Sequence, residues 1–314
     1  MALYSVVIPC YKSSKTIRTV VDSTIEEFEK IGIRDFEFVL VNDCSPDDGA
    51  TRTAIFDLSD QYPFVKSIDL GKNGGQHNAL LTGLRYADGE YIVSMDDDMQ
   101  TRPSEIIKLI SKLNEGYDVV YGYFEKKQES LFRRFGSWVH HVTVEFLMKK
   151  PKELKTSSFW IIRRYVRDYA IEYEFPQVAI QGIFLRVTEN ITCTPLQHYA
   201  REIGESGYTL KKLIRQYSSD LAFSVRLLNL IPWVAVFLMC LSIVGGLTLL
   251  IVKLVNATAY LRDFGFVCLL TFFTSLVLLA LGIIGNYLGR LYLGQSKSPQ
   301  AVIRETRNIG QKGK

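Results

Sequence analysis

The chain has 314 residues, of which 47% are hydrophobic and 22% are charged, and its formal net charge is +4. This length accommodates one large α/β domain with a smaller part beside it, and so modest a positive charge does not suggest a nucleic-acid partner. The five cysteines are widely spaced without a CxxC pair, which excludes a disulfide framework and the common zinc motifs and indicates a reducing compartment.

Apolar, β-branched runs alternate with helical patterns in the first part of the chain. Strands are predicted at 4–9, 36–41, 65–70, 89–94 and 118–122, and further helices at 50–61, 77–87 and 102–115. Ser13 and Ser14 are predicted to cap a first helix that runs to about Lys30. This alternation predicts a mostly parallel sheet, in which ligands bind beyond the carboxyl ends of the strands.

The beginning of the chain argues against two classes of protein. The first strand ends at Pro9 without a GxGxxG turn, which argues against NAD or FAD as a ligand. No basic leader comes before the strand, so no signal peptide is predicted and this domain is expected in the cytoplasm.

Three consecutive carboxylates, Asp96, Asp97 and Asp98, follow the strand predicted at 89–94, and Gln100 comes two residues later. Adjacent ionised groups repel one another and resist desolvation, so such a cluster suits either open solvent or a bound cation. Strand alternation would place Asp96, Asp98 and Gln100 on one side, with Asp97 facing the other. Carboxylate and amide oxygens are the ligands that Mg²⁺ and Mn²⁺ prefer. A solvated acidic loop is the alternative, and the strand ahead of the acids favours the metal site.

Two further motifs fall at predicted strand ends. Asp43 follows the second strand, within a run of turn residues, and a glycine-rich turn at 71–76 contains Lys72 and Gln76. Such turns can present backbone N–H groups to phosphate, although this one lacks the GK[ST] ending of a P-loop. Because the carboxyl ends of parallel strands share one edge of a sheet, these motifs and the acidic cluster are expected to lie together.

Beyond residue 122 the pattern becomes aromatic and basic. A helical pattern at 131–150 begins with Arg133 and Arg134, and it could pack on a soluble core or lie at lipid headgroups, two alternatives of equal weight. A second basic amphipathic segment at 207–230 leads into an apolar region, and for it the interfacial interpretation is preferred.

Two runs without a charge, at 233–252 and 264–288, are each long enough to cross a hydrocarbon core of roughly 30 Å. Basic residues crowd the segment that follows, at Arg290, Lys297, Arg304, Arg307, Lys312 and Lys314. The positive-inside rule therefore predicts a transmembrane hairpin with both flanks in the cytoplasm. The predicted organisation is a catalytic domain at 1–206, a juxtamembrane helix at 207–230, two transmembrane helices within 231–290, and a basic cytoplasmic tail at 291–314.

Together these motifs resemble glycosyltransferase family 2, in particular its membrane-anchored polyprenyl-phosphate sugar transferases. Bactoprenol glucosyl transferases, dolichyl-phosphate mannose synthases and undecaprenyl-phosphate aminoarabinose transferases are the similar groups. The likeness covers nearly the whole chain and is carried by segments at 7–11, 41–47, 73–79, 96–100, 201–206 and 285–290. Residues 155–160 lack the acid and the arginine of a motif common in the family, and the QxxRW motif of processive polysaccharide synthases is absent from the chain.

The resemblance implies an α/β, GT-A catalytic domain with a Rossmann-like, mostly parallel sheet, followed by amphipathic interface helices and two C-terminal transmembrane helices. It implies a nucleoside-diphosphate sugar as donor, UDP-sugar favoured over GDP-sugar, and a divalent metal, Mg²⁺ or Mn²⁺, held by Asp96, Asp98 and Gln100. The residues expected to bind the donor are Pro9, Tyr11, Asp43, Lys72, Gln76, Asp96 and Asp97.

The implied acceptor is a polyprenyl phosphate, which has a second pKa of about 6 and so needs no strong general base at neutral pH. Arginine suits a phosphate acceptor, because its planar fork stays charged and binds bidentately. Arg201 is the first candidate for this catalytic role, followed by Arg133 and Arg134, for which headgroup attraction is the alternative. The four histidines suit no common zinc motif.

The expected function is inverting sugar transfer to a polyprenyl (undecaprenyl) phosphate by an integral protein of the inner, cytoplasmic membrane, with both termini in the cytoplasm. Two alternatives stay open. One is a transferase of this fold that uses another membrane acceptor, such as a diacylglycerol or a growing glycan. The other is a non-catalytic membrane scaffold that binds nucleotide. The sugar, and whether the chain forms a homo-oligomer, are not predicted.

Overall fold

The structure, a computed structural model, describes residues 3–99, 101–124, 151, 153–174, 178–197 and 299–310, together with individual positions between 266 and 292. The strands are β1 (Tyr4–Cys10), β2 (Phe36–Asn42), β3 (Val65–Leu70), β4 (Tyr91–Ser94), β5 (Val119–Phe124), β6 (Trp160–Arg163), β7 (Ile191–Leu196) and β8 (Ile303–Arg307). The helices are α1 (Ile17–Lys30), α2 (Ala50–Gln61), α3 (Gln76–Tyr86), α4 (Ile106–Asn114), α5 (Arg164–Ile171) and α6 (Ile180–Val187), with a 3₁₀ turn at Pro103–Glu105.

One eight-stranded sheet, in the order β7-β5-β6-β4-β1-β2-β3-β8, organises the domain. The pairs β1–β2, β1–β4, β2–β3 and β5–β7 are parallel, whereas β6 runs antiparallel to β4 and β5, and β8 runs antiparallel to β3. The mostly parallel α/β sheet predicted from the sequence is confirmed. The chain runs outward from β1 to β3 and then returns to β4 on the other side of β1. In open α/β sheets such a reversal opens a crevice at the carboxyl ends of the two strands.

The apolar strand residues bury both faces of the sheet. On β1, Val6 and Ile8 belong to one hydrophobic cluster, and Val7 belongs to the other. The first cluster also includes residues of α1, α2 and α4, and the second includes residues of α3, α5 and α6. Burial on both faces explains why the parallel strands read as continuous apolar runs rather than as alternating ones.

Most of the predicted elements before residue 124 are confirmed, α2 and β3 at the predicted bounds, and two details are wrong. The first helix begins at Ile17 with Thr16 at its N-cap and no side-chain cap, because the Ser13 hydroxyl donates to Asp97 instead. The helix predicted at 102–115 begins as a 3₁₀ turn with a buried Pro103 and becomes α-helical only at Ile106.

Three strands that the sequence analysis did not predict complete the sheet. Strands β6 and β7 lie within the predicted catalytic domain, and β8 lies within the segment interpreted as a basic tail. The backbone N–H of Gly71 donates to the carbonyl of Val302 at 2.7 Å, just before β8 begins. The segment that follows the predicted hairpin therefore contributes the edge strand of the sheet.

Most of the predicted membrane region lies outside the described residues, as do the helix predicted at 131–150 and the one predicted at 207–230. The described positions between 266 and 292 are helical, and most of their apolar side chains are exposed, at Phe266, Leu270, Val277, Leu281, Ile284, Leu288, Leu291 and Tyr292. No helix among the described residues is long and apolar enough to cross a membrane.

We expect Gly83→Ala to destabilise the domain by about 1–3 kcal/mol, because a methyl group added there would overlap Val7 of β1 and press on Val41 of β2. Helix propensity alone would give the opposite sign, about 1 kcal/mol of stabilisation, so unfolding measurements in urea distinguish the two effects.

Gly71→Ala is the matched control for this variant, since its added methyl group would lie 3.6 Å from the Val302 side chain, an ordinary contact. Equal stability of the two variants would contradict the close packing of α3 on the sheet.

Candidate active site

The loops that follow β1, β2 and β3 and the turn that follows β4 meet at one edge of the sheet. Asp43 directly follows β2, the glycine-rich turn follows β3, and the acidic cluster follows β4. A hydrogen bond joins the last two, from Gln76 Nε2 at the start of α3 to Asp96 Oδ1, at 2.8 Å. The glycine-rich turn and the acidic cluster are thus joined at this edge of the sheet.

Asp43 is buried and anchors the glycine-rich turn. Its two carboxylate oxygens accept the backbone N–H groups of Gly74 and Gly75, at 2.7 and 2.9 Å, and its carbonyl accepts Asn73 Nδ2 at 3.0 Å. Burial raises the pKa of Asp43, and the two amide hydrogen bonds oppose that rise. These two N–H groups therefore serve the protein itself, whereas the sequence suggested that such a turn presents them to phosphate.

Glycine is required at one position of this turn. Gly75 has φ of +88°, a conformation that residues with a side chain rarely adopt. The same residue donates its backbone N–H to Asp43, so this conformation occurs where the turn meets the carboxylate.

Asp96 and Asp97 point toward different parts of the protein. Asp96 Oδ2 accepts the Ser158 hydroxyl, while Asp97 Oδ2 accepts the Tyr11 backbone N–H at 3.2 Å as well as the Ser13 hydroxyl. The different partners of Asp96 and Asp97 agree with this part of the predicted alternation, although β4 ends at Ser94 and the acids lie in a turn rather than in a strand.

Burial raises the pKa of Asp96 to about 6; the Ser158 and Gln76 hydrogen bonds oppose this rise, and the charges of Asp98 and Asp97 add to it. Burial also raises the pKa of Asp97, against its hydrogen bonds from Ser13 and Tyr11. The cluster is therefore a concentration of negative charge that either protons or a cation would relieve.

The residues at this cluster fit a divalent cation. Asp96 and Asp98 supply the hard carboxylate oxygens that Mg²⁺ and Mn²⁺ prefer, and the raised pKa of Asp96 shows how poorly the protein alone neutralises them. Among the described residues, no three His, Cys, Asp or Glu side chains form a complete metal centre. A cation here would thus need further ligands from water or substrate, and Gln100, the third predicted ligand, lies outside the described residues.

The other predicted donor residues differ in exposure. Pro9 is buried within β1, whereas the Tyr11 side chain is 45% exposed, and Lys72 is exposed on the glycine-rich turn. Tyr11 and Lys72 are therefore open to a ligand, whereas Pro9 belongs to the buried part of β1. The three arginines predicted to serve the acceptor, Arg133, Arg134 and Arg201, lie outside the described residues.

Sequence reasoning missed two serines of the site. The sequence predicts Ser13 as a helix cap, and Ser158 lies in the segment at 155–160, for which the departure from the family pattern predicts no role. Ser158 donates to Asp96, which is 62 residues away in sequence, and its carbonyl accepts the Ser94 hydroxyl at 3.0 Å. No local pattern signals a contact over such a separation.

Undecaprenyl-phosphate 4-deoxy-4-formamido-L-arabinose transferases are among the known proteins similar to this chain. The undecaprenyl-phosphate 4-deoxy-4-formamido-L-arabinose transferase of Enterobacter sp. (strain 638) is 26% identical over 310 residues, which cover 98% of this chain and 94% of that protein. The transferase of the same name from Proteus mirabilis (strain HI4320) is also 26% identical over 310 residues, covering 96% of this chain and 93% of the relative.

Among solved structures, glucosyl-3-phosphoglycerate synthase from Mycobacterium tuberculosis, in complex with Mn²⁺, UDP and glucosyl-3-phosphoglycerate, is similar with a TM-score of 0.51 and 17% identity. The match covers 70% of this chain and 78% of that one, and it supports the GT-A-like fold. The family model described as "Glycosyl transferase family 2" matches residues 5–171, more than half of the chain, which therefore belongs to glycosyl transferase family 2.

Proposed function

We propose that this protein is an inverting glycosyltransferase that moves a sugar from a UDP-sugar to undecaprenyl phosphate at the cytoplasmic face of the membrane. The observation that carries the proposal is the Gln76–Asp96 hydrogen bond, which joins the turn anchored by Asp43 to the acidic cluster in one continuous site. The nearly full-length relatives named for undecaprenyl-phosphate sugar transfer support the acceptor, and the UDP in a structural neighbour supports the donor.

Donor binding combines a rigid floor with exposed side chains. Asp43 fixes the glycine-rich turn, the exposed Tyr11 would offer an aromatic face for the base, and the exposed Lys72 would meet the charge of the diphosphate. Asp97 holds the Tyr11 loop through its backbone N–H. Pro9, buried in β1, would border this pocket, and Gln76 connects the glycine-rich turn to Asp96.

Asp96, Asp98 and Gln100 would hold the divalent cation. When bound, Mg²⁺ or Mn²⁺ supplies positive charge that stabilises the departing nucleoside diphosphate. Ser158 and Gln76 orient the Asp96 carboxylate through hydrogen bonds to its two oxygens, so that side chain is already fixed before a ligand arrives. The Mn²⁺ in the mycobacterial structural neighbour supports this assignment.

The acceptor step needs a positioned phosphate rather than a strong base, because a phosphate monoester is largely ionised at neutral pH. Arg201, with Arg133 and Arg134, would hold that phosphate in line with the anomeric carbon, and a single direct displacement inverts the configuration there. The exposed apolar side chains at the described helical positions between 266 and 292 support a membrane location for this part of the chain, where the lipid acceptor is found.

The proposal predicts that full-length protein in detergent, supplied with Mn²⁺, undecaprenyl phosphate and a panel of UDP- and GDP-sugars, releases nucleoside diphosphate and yields a lipid heavier by one sugar. Asp98→Ala should abolish both products because it removes a metal ligand, whereas the exposed Asp57→Ala on α2 should leave them unchanged. The measurement combines nucleotide release with mass analysis of the lipid.

If nucleotide release is undiminished when undecaprenyl phosphate is left out, the acceptor assignment is overturned. Such a result would favour a diacylglycerol or a glycan as the acceptor. Nucleotide binding without turnover of any donor would point to a scaffold instead.

Arg201→Ala should raise the KM for undecaprenyl phosphate by about 10-fold or more while the Kd for UDP changes little, because a charge-assisted contact to phosphate is lost only from the acceptor side. Steady-state kinetics with varied lipid and equilibrium binding of UDP measure the two effects. Arg18→Ala, which removes an arginine bonded to Gln61 away from the site, is the control. A loss confined to UDP affinity would show that Arg201 serves the donor.

The raised pKa of Asp96 predicts that the stability of the folded protein depends on pH in the absence of metal. Its pKa of about 6 in the folded protein exceeds the ordinary value of 3.8, so the folded state binds the proton more tightly and loses stability as the pH rises through this window. In EDTA, Asp96→Asn should therefore raise the Tm by a few degrees at pH 7.5 and by roughly half as much at pH 5, which lies between the ordinary and the folded-state pKa values.

Thermal unfolding at the two pH values measures this difference, and Mn²⁺ should raise the Tm of the wild-type protein more than that of the variant. The same Tm difference at both pH values would contradict the burial of this charge.

A further inference from the structure

A network of polar side chains crosses the edge of the sheet at which the candidate site lies. It runs from β8 to the loop after β1. Arg304 Nη1 on β8 lies 3.4 Å from Asp69 Oδ2 on β3, and Asp69 Oδ1 accepts Asn42 Nδ2 at 2.7 Å. Asn42 Oδ1, at the end of β2, accepts both the hydroxyl and the backbone N–H of Ser45, at 2.6 and 3.2 Å. The Ser45 hydroxyl in turn accepts the backbone N–H of Lys12 at 3.0 Å. Four neighbouring strands are thus linked in series.

The charge of Asp69 makes Arg304 important to this network. The Asp69 side chain is 1% exposed, and its Oδ2 accepts no hydrogen bond from the described residues. The nearest cations are Arg304, at 3.4 Å, and Arg52, whose Nε lies 3.9 Å away. An uncompensated buried carboxylate is strongly unfavourable, so the loss of the nearer cation should disturb the arrangement of Asp69 and its partner Asn42.

One part of this hydrogen-bond network supports the Asp43 anchor. Asn42 directly precedes Asp43, whose carboxylate holds the glycine-rich turn. Arg304 Nη2 also lies 3.8 Å from the Sγ of Cys44, the residue that follows Asp43. The loop that carries Asp43 is therefore supported on both sides by groups that depend on Arg304.

Another part of the network supports the loop that contacts Asp97. Lys12, whose backbone N–H is the last donor of the network, has φ of +61° and lies between Tyr11 and Ser13. Both of these neighbours donate to Asp97. A shift at Lys12 would therefore change the position of the exposed Tyr11 ring and the contacts of Asp97.

Strand β8 is held firmly enough to present Arg304 in a fixed place. Asn308 Nδ2, after the strand, donates to the carbonyl groups of Ser59 and Val65, at 2.6 and 2.9 Å, and Arg52 Nη2 on α2 bonds Glu305 at 2.8 Å. These contacts do not involve Arg304, so β8 should stay in the sheet when that side chain is removed.

We propose that Arg304 is a positioning residue: acting through Asp69, Asn42 and Ser45, it sets the loops that hold Asp43 and Tyr11, and so sets affinity for the nucleotide of the donor. This role rests on the proposed function, since it takes the ligand of those loops to be a nucleoside diphosphate. It assigns part of the donor site to a strand that follows the predicted membrane hairpin.

The test uses full-length protein in detergent with Mn²⁺ and compares Arg304→Ala, Arg304→Lys and the matched control Arg307→Ala. Arg307 lies on the same strand and is exposed to a similar degree, 46% against 49%, but it contacts Asp60, Glu305 and the ring of Phe56 rather than Asp69. Arg304→Ala should raise the Kd for UDP by about three- to tenfold, with partial recovery in Arg304→Lys and little change in Arg307→Ala. The donor KM should rise in the same way, with kcat at saturating donor nearly unchanged.

A second measurement does not need the donor. Hydrogen exchange followed by mass spectrometry should show faster exchange at 11–14 and 43–47 in Arg304→Ala, and not in Arg307→Ala, because the Lys12 N–H loses a fixed acceptor.

Equal UDP affinity and equal exchange in Arg304→Ala and wild-type protein would overturn the proposal. Equal losses in Arg304→Ala and Arg307→Ala would also overturn it, since they would show that only the attachment of β8 matters. A wild-type protein that binds no UDP would refute the proposed donor, and the exchange measurement would then decide by itself whether Arg304 positions the loops.

Discussion

The buried negative charge at the end of β4 is the constraint on which the site depends. Burial raises the pKa of both Asp96 and Asp97, so each must be met by donors from its surroundings. Asp96 receives its hydrogen bonds from the start of α3 and from the segment before β6, and Asp97 receives its own from the loop after β1. The acids therefore hold together segments that are distant in the sequence. The same charge that makes the cluster costly is what suits it to a cation.

The glycine-rich turn illustrates a different use of a familiar local pattern. In phosphate-binding loops the backbone N–H groups face the ligand, but here those of Gly74 and Gly75 face the Asp43 carboxylate. The turn gains rigidity from this arrangement and has fewer N–H groups left for a bound anion. Side chains such as Lys72, and a cation at the acidic cluster, would then have to balance the charge of a diphosphate. Holding the turn in place and balancing a bound charge would thus fall to different residues.

The sequence predicts what depends on local pattern. The apolar runs of β1 to β5 and the turn residues after them were enough to predict the parallel part of the sheet and the edge where the acids meet. Strand β6 has only four residues, β7 contains Pro195, and β8 reads I-R-E-T-R, so none of them shows an apolar run of ordinary length. These strands form because neighbouring strands offer them hydrogen bonds and packing, which a single sequence does not reveal. The contact between Ser158 and Asp96 was missed for the same reason, and the acceptor arginines and Gln100 stay predictions.

The antiparallel pairing of β8 with β3 has a consequence for how the domain is made. Glu305 contacts Arg52, which precedes it by 253 residues, so this edge of the sheet is among the most non-local parts of the fold. While the chain is being synthesised, β3 presents unpaired N–H and C=O groups until the segment around β8 emerges from the ribosome. The exposed edge is a template for pairing with other chains during that interval, and the closure of such distant contacts is slow. The sheet can therefore reach its complete form only after the apolar region between residues 231 and 290 has been synthesised, which couples the assembly of this edge of the sheet to the fate of that region.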